Sequence, residues 1–240
     1  MSAEARPGTT FGRVASEYER ARPEYPGEAL DRAALELQLD AASTVLDLGA
    51  GTGKLTRPLA ERFAHVIAVE PDDAMRACIA GDARAGTAES IPVEDRGVDA
   101  VFVGSAFHWF DWPRALAEIR RVLRPGAGGL AIIANPWPIP ADGPARELLD
   151  VVWVRFNGEK SYSGVEWKDV VEAELGPLGY ATWTEELVYD GDLYADLCVT
   201  GSTPAALPDD ERAELRRALG VHLAGEHRLL IETSLYWVRV

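Results

Sequence analysis

Residues 44–53, TVLDLGAGTG, constrain this chain more than any other stretch. Val45, Leu46 and Leu48 form a short apolar run, as in a buried strand of a parallel sheet. Gly49, Gly51 and Gly53 then fall at every second position. In the KLTRPLAERF segment that follows, Leu55, Leu59 and Phe63 recur every four residues, the spacing of one helix face. Strand, glycine turn and helix in that order bring backbone close to a ligand and point helix N–H groups at it. The stretch predicts a site for a nucleotide-type cofactor.

The flanking sequence repeats the alternation. Before the turn, Phe11, Val14, Ala15, Tyr18 and Arg22 share one helical face, Pro23 and Pro26 end that helix, and Leu30, Ala33, Ala34 and Leu37 pattern a second. The first of these helices reads either as a surface helix packed on the sheet or as a flap whose Tyr18 and Arg22 face the ligand. After the turn, HVIAVE (residues 65–70) is a second strand that ends in a carboxylate. Pro71, Asp72 and Asp73 open a helix that carries Met75 and Ile79, with acidic residues where the helix dipole favours them. A weak third strand spans residues 83–88 and a strong fourth spans 98–104, running into SAFHWF. Asp111 is the expected N-cap of a helix through Leu123, with Pro113 in its first turn. A fifth strand covers residues 130–134.

Strands alternating with helices at this spacing predict an α/β fold built on a doubly wound parallel sheet. Ligands of such sheets bind at the carboxyl ends of the strands, where Glu70, Ser105 and His108 fall. Beyond residue 135 the pattern loosens. Residues 135–164 hold four prolines and read as a linker or lid with a short helix at 147–156. Helices are expected at 167–175 and 209–223, a strand at 181–189 and a closing strand at 228–240.

At 240 residues, with 47% hydrophobic and 26% charged residues, the chain suits one large soluble domain. Its expected parts are N-terminal cap helices (11–40), a cofactor-binding core (41–135), a lid or insertion (136–180), and a C-terminal helix with closing strands (181–240). A net charge of −15 without basic runs argues against a nucleic-acid partner. Cys78 and Cys198 lack metal or disulfide spacing, the N-terminus lacks an apolar leader core, and no apolar stretch approaches the ~20 residues that span a bilayer. These features predict a cytoplasmic protein with no membrane partner and no metal. They do not fix an oligomeric state.

Three cofactors use a glycine turn of this kind. An ATP-binding loop needs GxxxxGK followed by Ser or Thr, whereas GAGTGKL is one residue short and places Leu55 where the hydroxyl belongs. A dinucleotide turn reads GxGxxG; here the third glycine comes one residue early and Asp47 precedes the turn, so NAD stands second. S-adenosylmethionine has no phosphate and carries an ammonium as well as a carboxylate, which backbone carbonyls and N–H groups around residues 47–53 can serve. Glu70 lies 17 residues after Gly53, at a strand end where a carboxylate accepts bonds from both ribose hydroxyls. Ala88 and Glu89 follow the third strand and either lie against an adenine or form an ordinary loop.

VLDLGAGTGKLT, VIAVEPDDAMR, GTAESIPVEDRGVDAVFVGSAFHWFD and ALAEIRRVLRPG, in that order over about residues 40–135, resemble the class I S-adenosylmethionine-dependent methyltransferases. YERARPEYP, the HWF segment and, more loosely, the tail from Leu193 are similar to the small-molecule branch that includes trans-aconitate methyltransferase. The resemblance implies a Rossmann-like seven-stranded sheet with its last strand antiparallel. It also implies cofactor roles for Asp47, Gly49, Gly51, Gly53, Glu70 and Glu89. Ala50, Pro71, Met75, Ala88, Ser105, Tyr18 and Arg22 complete the candidate set around S-adenosylmethionine and its product S-adenosylhomocysteine. LRPGAGG departs from the family's usually shorter glycine turn.

The implied reaction moves a sulfonium methyl to an oxygen, nitrogen or carbon atom of a small molecule. His108 is the candidate general base; it also reads as a helix-capping or packing residue, or as one that orients an acid already ionised. Trp109 and Trp137 are candidate substrate contacts. The alternative is an S-adenosylmethionine-binding protein that catalyses a non-methylating rearrangement or acts as a sensor.

Overall fold

The computed structural model describes residues 11–136, 138–157 and 166–240. One seven-stranded sheet runs in the order β3 (Asp82–Arg84), β2 (His65–Val69), β1 (Thr44–Leu48), β4 (Ala100–Gly104), β5 (Gly129–Ala134), β7 (Glu226–Arg239), β6 (Gly179–Asp190). The pairs β1–β2, β1–β4, β2–β3 and β4–β5 are parallel, and β7 runs antiparallel to β5 with Ile132 opposite Tyr236. The chain steps outward from β1 to β2 and β3, then returns to place β4 on the other side of β1. That reversal puts a crevice at the carboxyl ends of β1 and β4.

The chain forms two compact units. Of the described residues, one comprises 24–135, 166–183 and 232–240; the other comprises 11–23, 136, 138–157 and 184–231. In the first, the core unit, the central strands β1, β4 and β5 feed two hydrophobic layers in alternation, because successive side chains point to opposite faces. Leu46, Val101, Val103, Leu130, Ile132 and Val238 enter one layer with α5 (Trp112–Val122) and α7 (Glu166–Leu175). Val45, Phe102, Ala131, Ile133 and Leu235 enter the other with α2 (Gly27–Glu36) and α3 (Thr56–Ala60). In α5, Ala115, Leu116, Ile119 and Val122 are buried, as their spacing predicts.

The second unit packs α1 (Ala15–Ala21), α6 (Gly143–Asn157), α8 (Gly191–Val199), α9 (Ser202–Ala205) and α10 (Asp209–His222). Its core joins Ala21, Leu149, Leu197, Leu215 and Leu219. Among the described residues no helix is long and apolar enough to cross a membrane.

Several expectations shift in detail. The third strand stops at Arg84 instead of reaching Ala88. The chain turns there to form an isolated bridge between Thr87 and Ser90, and at Gly86 a Cβ would lie 2.5 Å from the Pro92 ring. The helix expected to carry both Met75 and Ile79 is a single turn, α4 (Asp73–Arg76), capped by Asp72, whose side chain accepts from the N–H groups of Ala74 and Met75. The long glycine turn in LRPGAGG has a steric reason. A Cβ on Gly128, which adopts φ +56°, would meet the Asp99 carbonyl oxygen at 2.2 Å, and one on Gly129 would meet the Val238 carbonyl at 2.0 Å.

Candidate functional site

The glycine turn is fixed to the sheet by two bonds, from the N–H groups of Gly49 and Ala50 to the Val69 carbonyl at 2.9 and 3.1 Å. Gly49 adopts φ +75°, and a Cβ there would sit 2.8 Å from the Ala106 side chain, so only glycine keeps both the turn and the adjoining loop in place. Gly51 and Gly53 also have positive φ.

Asp47 lies fully buried on β1, between Ala68 of β2 and Phe102 of β4. Its Oδ2 accepts a 2.6 Å bond from the Thr56 hydroxyl at the start of α3, and its Oδ1 has no partner. Burial pushes the acid up from 3.8 to about 7; the Thr56 bond opposes that rise and the neighbouring Glu70 charge adds to it. The Thr52 hydroxyl, inside the same turn, is also buried without a partner. A half-satisfied carboxylate beneath a glycine turn matches a ligand with a cationic hydrogen-bond donor.

Glu70 follows β2 and is buried. Its Oε2 accepts from the Gly51 N–H at 2.8 Å and its Oε1 from the Asp72 N–H at 2.9 Å. Burial raises its pKa, and these two backbone bonds lower it. A carboxylate has about four lone-pair sites. Two therefore remain, one for each hydroxyl of a vicinal diol. Pro71 is exposed beside it, and Met75 is buried in α4.

The next strand ends carry a polar cluster. Ser105 adopts φ +52° after β4, a left-handed conformation that strains a residue with a side chain. Its Oγ accepts from the Tyr25 hydroxyl at 3.1 Å and its N–H donates to the Ile133 carbonyl at 2.8 Å. Asn135, just past β5, donates from its side chain to the Glu24 carbonyl at 3.1 Å and accepts from the Thr233 hydroxyl at 2.7 Å. The Glu24 carboxylate holds the buried Lys54 ammonium at 2.7 Å. One connected set of bonds therefore links the ends of β4 and β5 to β7, to the start of α2 and to the glycine turn.

Of the residues singled out by sequence, Asp47, Gly49, Ala50, Gly51, Gly53 and Glu70 gather around that turn, and Met75 is buried in α4. Ala88 is buried in the hydrophobic layer, and Glu89 accepts the N–H of Asp111 at 2.9 Å, just before α5, while Asp111 makes no side-chain cap bond. His108 is exposed in a short turn after β4, its ring 4.6 Å from that of Trp109. Tyr18 and Arg22 belong to the second unit. There Arg22 donates to the Thr200 hydroxyl and carbonyl at 2.9 and 2.8 Å and lies over the Tyr18 ring. Trp137 lies outside the described residues.

Sequence reasoning does not find Thr56, Lys54–Glu24 or the Tyr25–Ser105–Asn135 set. A hydroxyl in the first turn of α3, beside the Leu55 and Leu59 stripe, is the only trace of the first. The others join residues far apart in sequence and leave no local pattern.

A methyltransferase domain model matches residues 46–132. Over 229 residues the chain is 50% identical to an uncharacterized methyltransferase of Mycobacterium tuberculosis, covering 90% of this chain and 87% of that relative. It is 30% identical over 173 residues to a malonyl-[acyl-carrier protein] O-methyltransferase of Pectobacterium atrosepticum, covering 70% and 65% of the two. A solved structure of a candidate methyltransferase from an antibiotic biosynthesis pathway of Anabaena variabilis aligns with TM-score 0.61 at 18% identity, over 90% of this chain and 98% of that one. That last likeness shows the fold alone.

Proposed function

This chain belongs to the S-adenosylmethionine-dependent methyltransferases, and on that premise we propose that it methylates an oxygen, nitrogen or carbon atom of a small molecule. The observation that carries the site assignment is the buried, unpartnered Oδ1 of Asp47, a site built for a cationic donor next to a carboxylate with two lone pairs to spare. In this reading Asp47 takes the ammonium of the methyl donor, Glu70 takes both ribose hydroxyls, and Gly49–Gly53 supply close backbone. Ala50, Pro71 and Met75 adjoin these groups, Ala88 and Glu89 lie toward the base, and Ser105 closes the crevice at the end of β4.

Bound S-adenosylmethionine supplies an electrophilic sulfonium methyl. The protein's task is then alignment, which contributes up to ~7–11 kcal/mol in favourable cases. His108, exposed after β4, removes a proton from an acceptor that must lose one, or orients an acceptor already ionised. Trp109 beside it offers an apolar ring to the acceptor. An oxygen nucleophile is supported by the O-methylation named for the Pectobacterium relative. The YERARPEYP and HWF segments support the branch that resembles trans-aconitate methyltransferase.

Calorimetric titration of wild type and Glu70→Ala with S-adenosylmethionine and with NAD tests this reading. We expect binding of the first ligand only, weakened about tenfold or more by the substitution, since two bonds to a charged group are lost. Turnover should yield S-adenosylhomocysteine and an acceptor heavier by one methylene. Binding of NAD in place of S-adenosylmethionine would overturn the site assignment, and turnover without that mass gain would overturn methyl transfer.

A further inference from the structure

The glycine turn and Glu70 account for most of a donor site, but not for why the Asp47 carboxylate presents one oxygen and not the other. The neighbours of Asp47 on its own layer of the sheet are apolar: Ala68 on β2 and Phe102 on β4. The charged group that acts on it is Glu70, of the same sign. Lys54, seven residues along the same turn, directs its ammonium to Glu24. The main bond that sets the carboxylate's rotation is the 2.6 Å bond from Thr56 Oγ1 to Oδ2, with the Thr56 backbone N–H adding a smaller effect, and Thr56 is itself buried in the first turn of α3.

We propose that Thr56 is a positioning residue for the methyl donor: its hydroxyl locks the Asp47 side chain so that Oδ1 faces the donor's ammonium. This rests on the donor-site assignment above and adds a residue that makes no contact with the donor in this reading. Without the Thr56 bond the carboxylate is free to turn about its last torsion, which for an acid side chain is broad and twofold. In an apolar layer the carboxylate then keeps only the smaller effect of the Thr56 backbone N–H, and the charged form becomes harder to hold. The Thr56 bond lowers the pKa of Asp47 against the rise that burial causes, so the same contact that aims the carboxylate also favours its ionised form. The cation-binding form of Asp47 therefore reaches to lower pH with Thr56 than without it.

The test uses three ligands that differ at one end. S-adenosylmethionine and S-adenosylhomocysteine both carry the ammonium, whereas methylthioadenosine keeps base and sugar and has no amino-acid end. Each is titrated calorimetrically against wild type, Thr56→Val and Thr56→Ser from pH 6 to pH 9. We expect Thr56→Val to bind the first two about tenfold more weakly at pH 7.5 and methylthioadenosine within about twofold of wild type, the loss of one bond to a charged group. The pH at which wild-type binding of S-adenosylmethionine tightens should move upward in Thr56→Val, and Thr56→Ser, which keeps the hydroxyl, should restore both readouts. Equal weakening for all three ligands would mean a general distortion of the turn and would overturn the proposal. So would an unchanged affinity or pH profile in Thr56→Val. Failure of the wild type to bind S-adenosylmethionine at all would instead sink the donor-site assignment, and this inference with it.

Discussion

Among the described residues each unit buries one aspartate, and the two are treated in opposite ways. Asp196 in α8 is 2% exposed and sits between the guanidinium groups of Arg20 and Arg216, the second at 2.7 Å. Asp47 in the core unit is fully buried, receives one hydroxyl and faces no cation. A carboxylate closed off by two cations joins α1, α8 and α10 into a scaffold and has little left to offer a ligand. A carboxylate left half-satisfied is unfavourable to the empty fold, because an unpaired buried charge is costly. The difference separates a residue that holds the molecule together from one held ready for something else.

The largest effect should come from stripping the first of its cations. The double variant Arg20→Ala, Arg216→Ala leaves Asp196 buried and unpaired, and urea denaturation should show a loss of about 3–5 kcal/mol. A loss below about 1 kcal/mol would mean that Asp196 reaches water more easily than its burial indicates, and the contrast between the two residues would fail.

Asp47→Asn should act with the opposite sign. Because the folded-state pKa is about 7 against an ordinary 3.8, the native protein keeps a proton there that the unfolded chain has lost, so the wild type loses stability as pH rises from about 4 to about 7. At ~1.4 kcal/mol per pKa unit the full penalty is about 4 kcal/mol, and it is absent from the amide. The variant should therefore match wild type near pH 4 and exceed it by about 2 kcal/mol or more at pH 8, while losing S-adenosylmethionine binding. Denaturation curves at both pH values read the result, and a destabilised amide at pH 8 would show that Asp47 is not an unfavourable buried acid.

The smallest change concerns Ser105, strained at φ +52°. Glycine takes that conformation freely, so Ser105→Gly should relieve part of the strain and hold stability within about 1 kcal/mol of wild type, despite the lost bond from Tyr25. A loss above about 2 kcal/mol would mean that the Tyr25–Ser105 bond, not the backbone, governs that corner.

The two units also differ in how far their sequence can be read. The alternation of Leu46, Val101 and Leu130 against Val45, Phe102 and Ala131 is a local, period-two pattern, and the sheet it predicts is the sheet that forms. In α8, Tyr194 to Val199 are all buried, so no polar face alternates with an apolar one and the sequence gives no helical stripe to recognise. The glycine turn and Glu70 are legible because their chemistry is local and their spacing is tight. Thr56 and Asn135 are not, because what they do depends on partners brought together only by the completed sheet.

Asn135 carries one more implication. The chain passes between the two units after residues 23, 135, 183 and 231, and once more between residues 157 and 166, so the second unit is no single removable insert. A single amide ties together Glu24, Asn135 and Thr233, each within two residues of such a crossing. Anyone grafting a relative's second unit onto this core must cut at several seams at once. The amide and its hydroxyl partner both belong to the core and have to be kept as a matched pair, or the seams will be spliced without their common rivet.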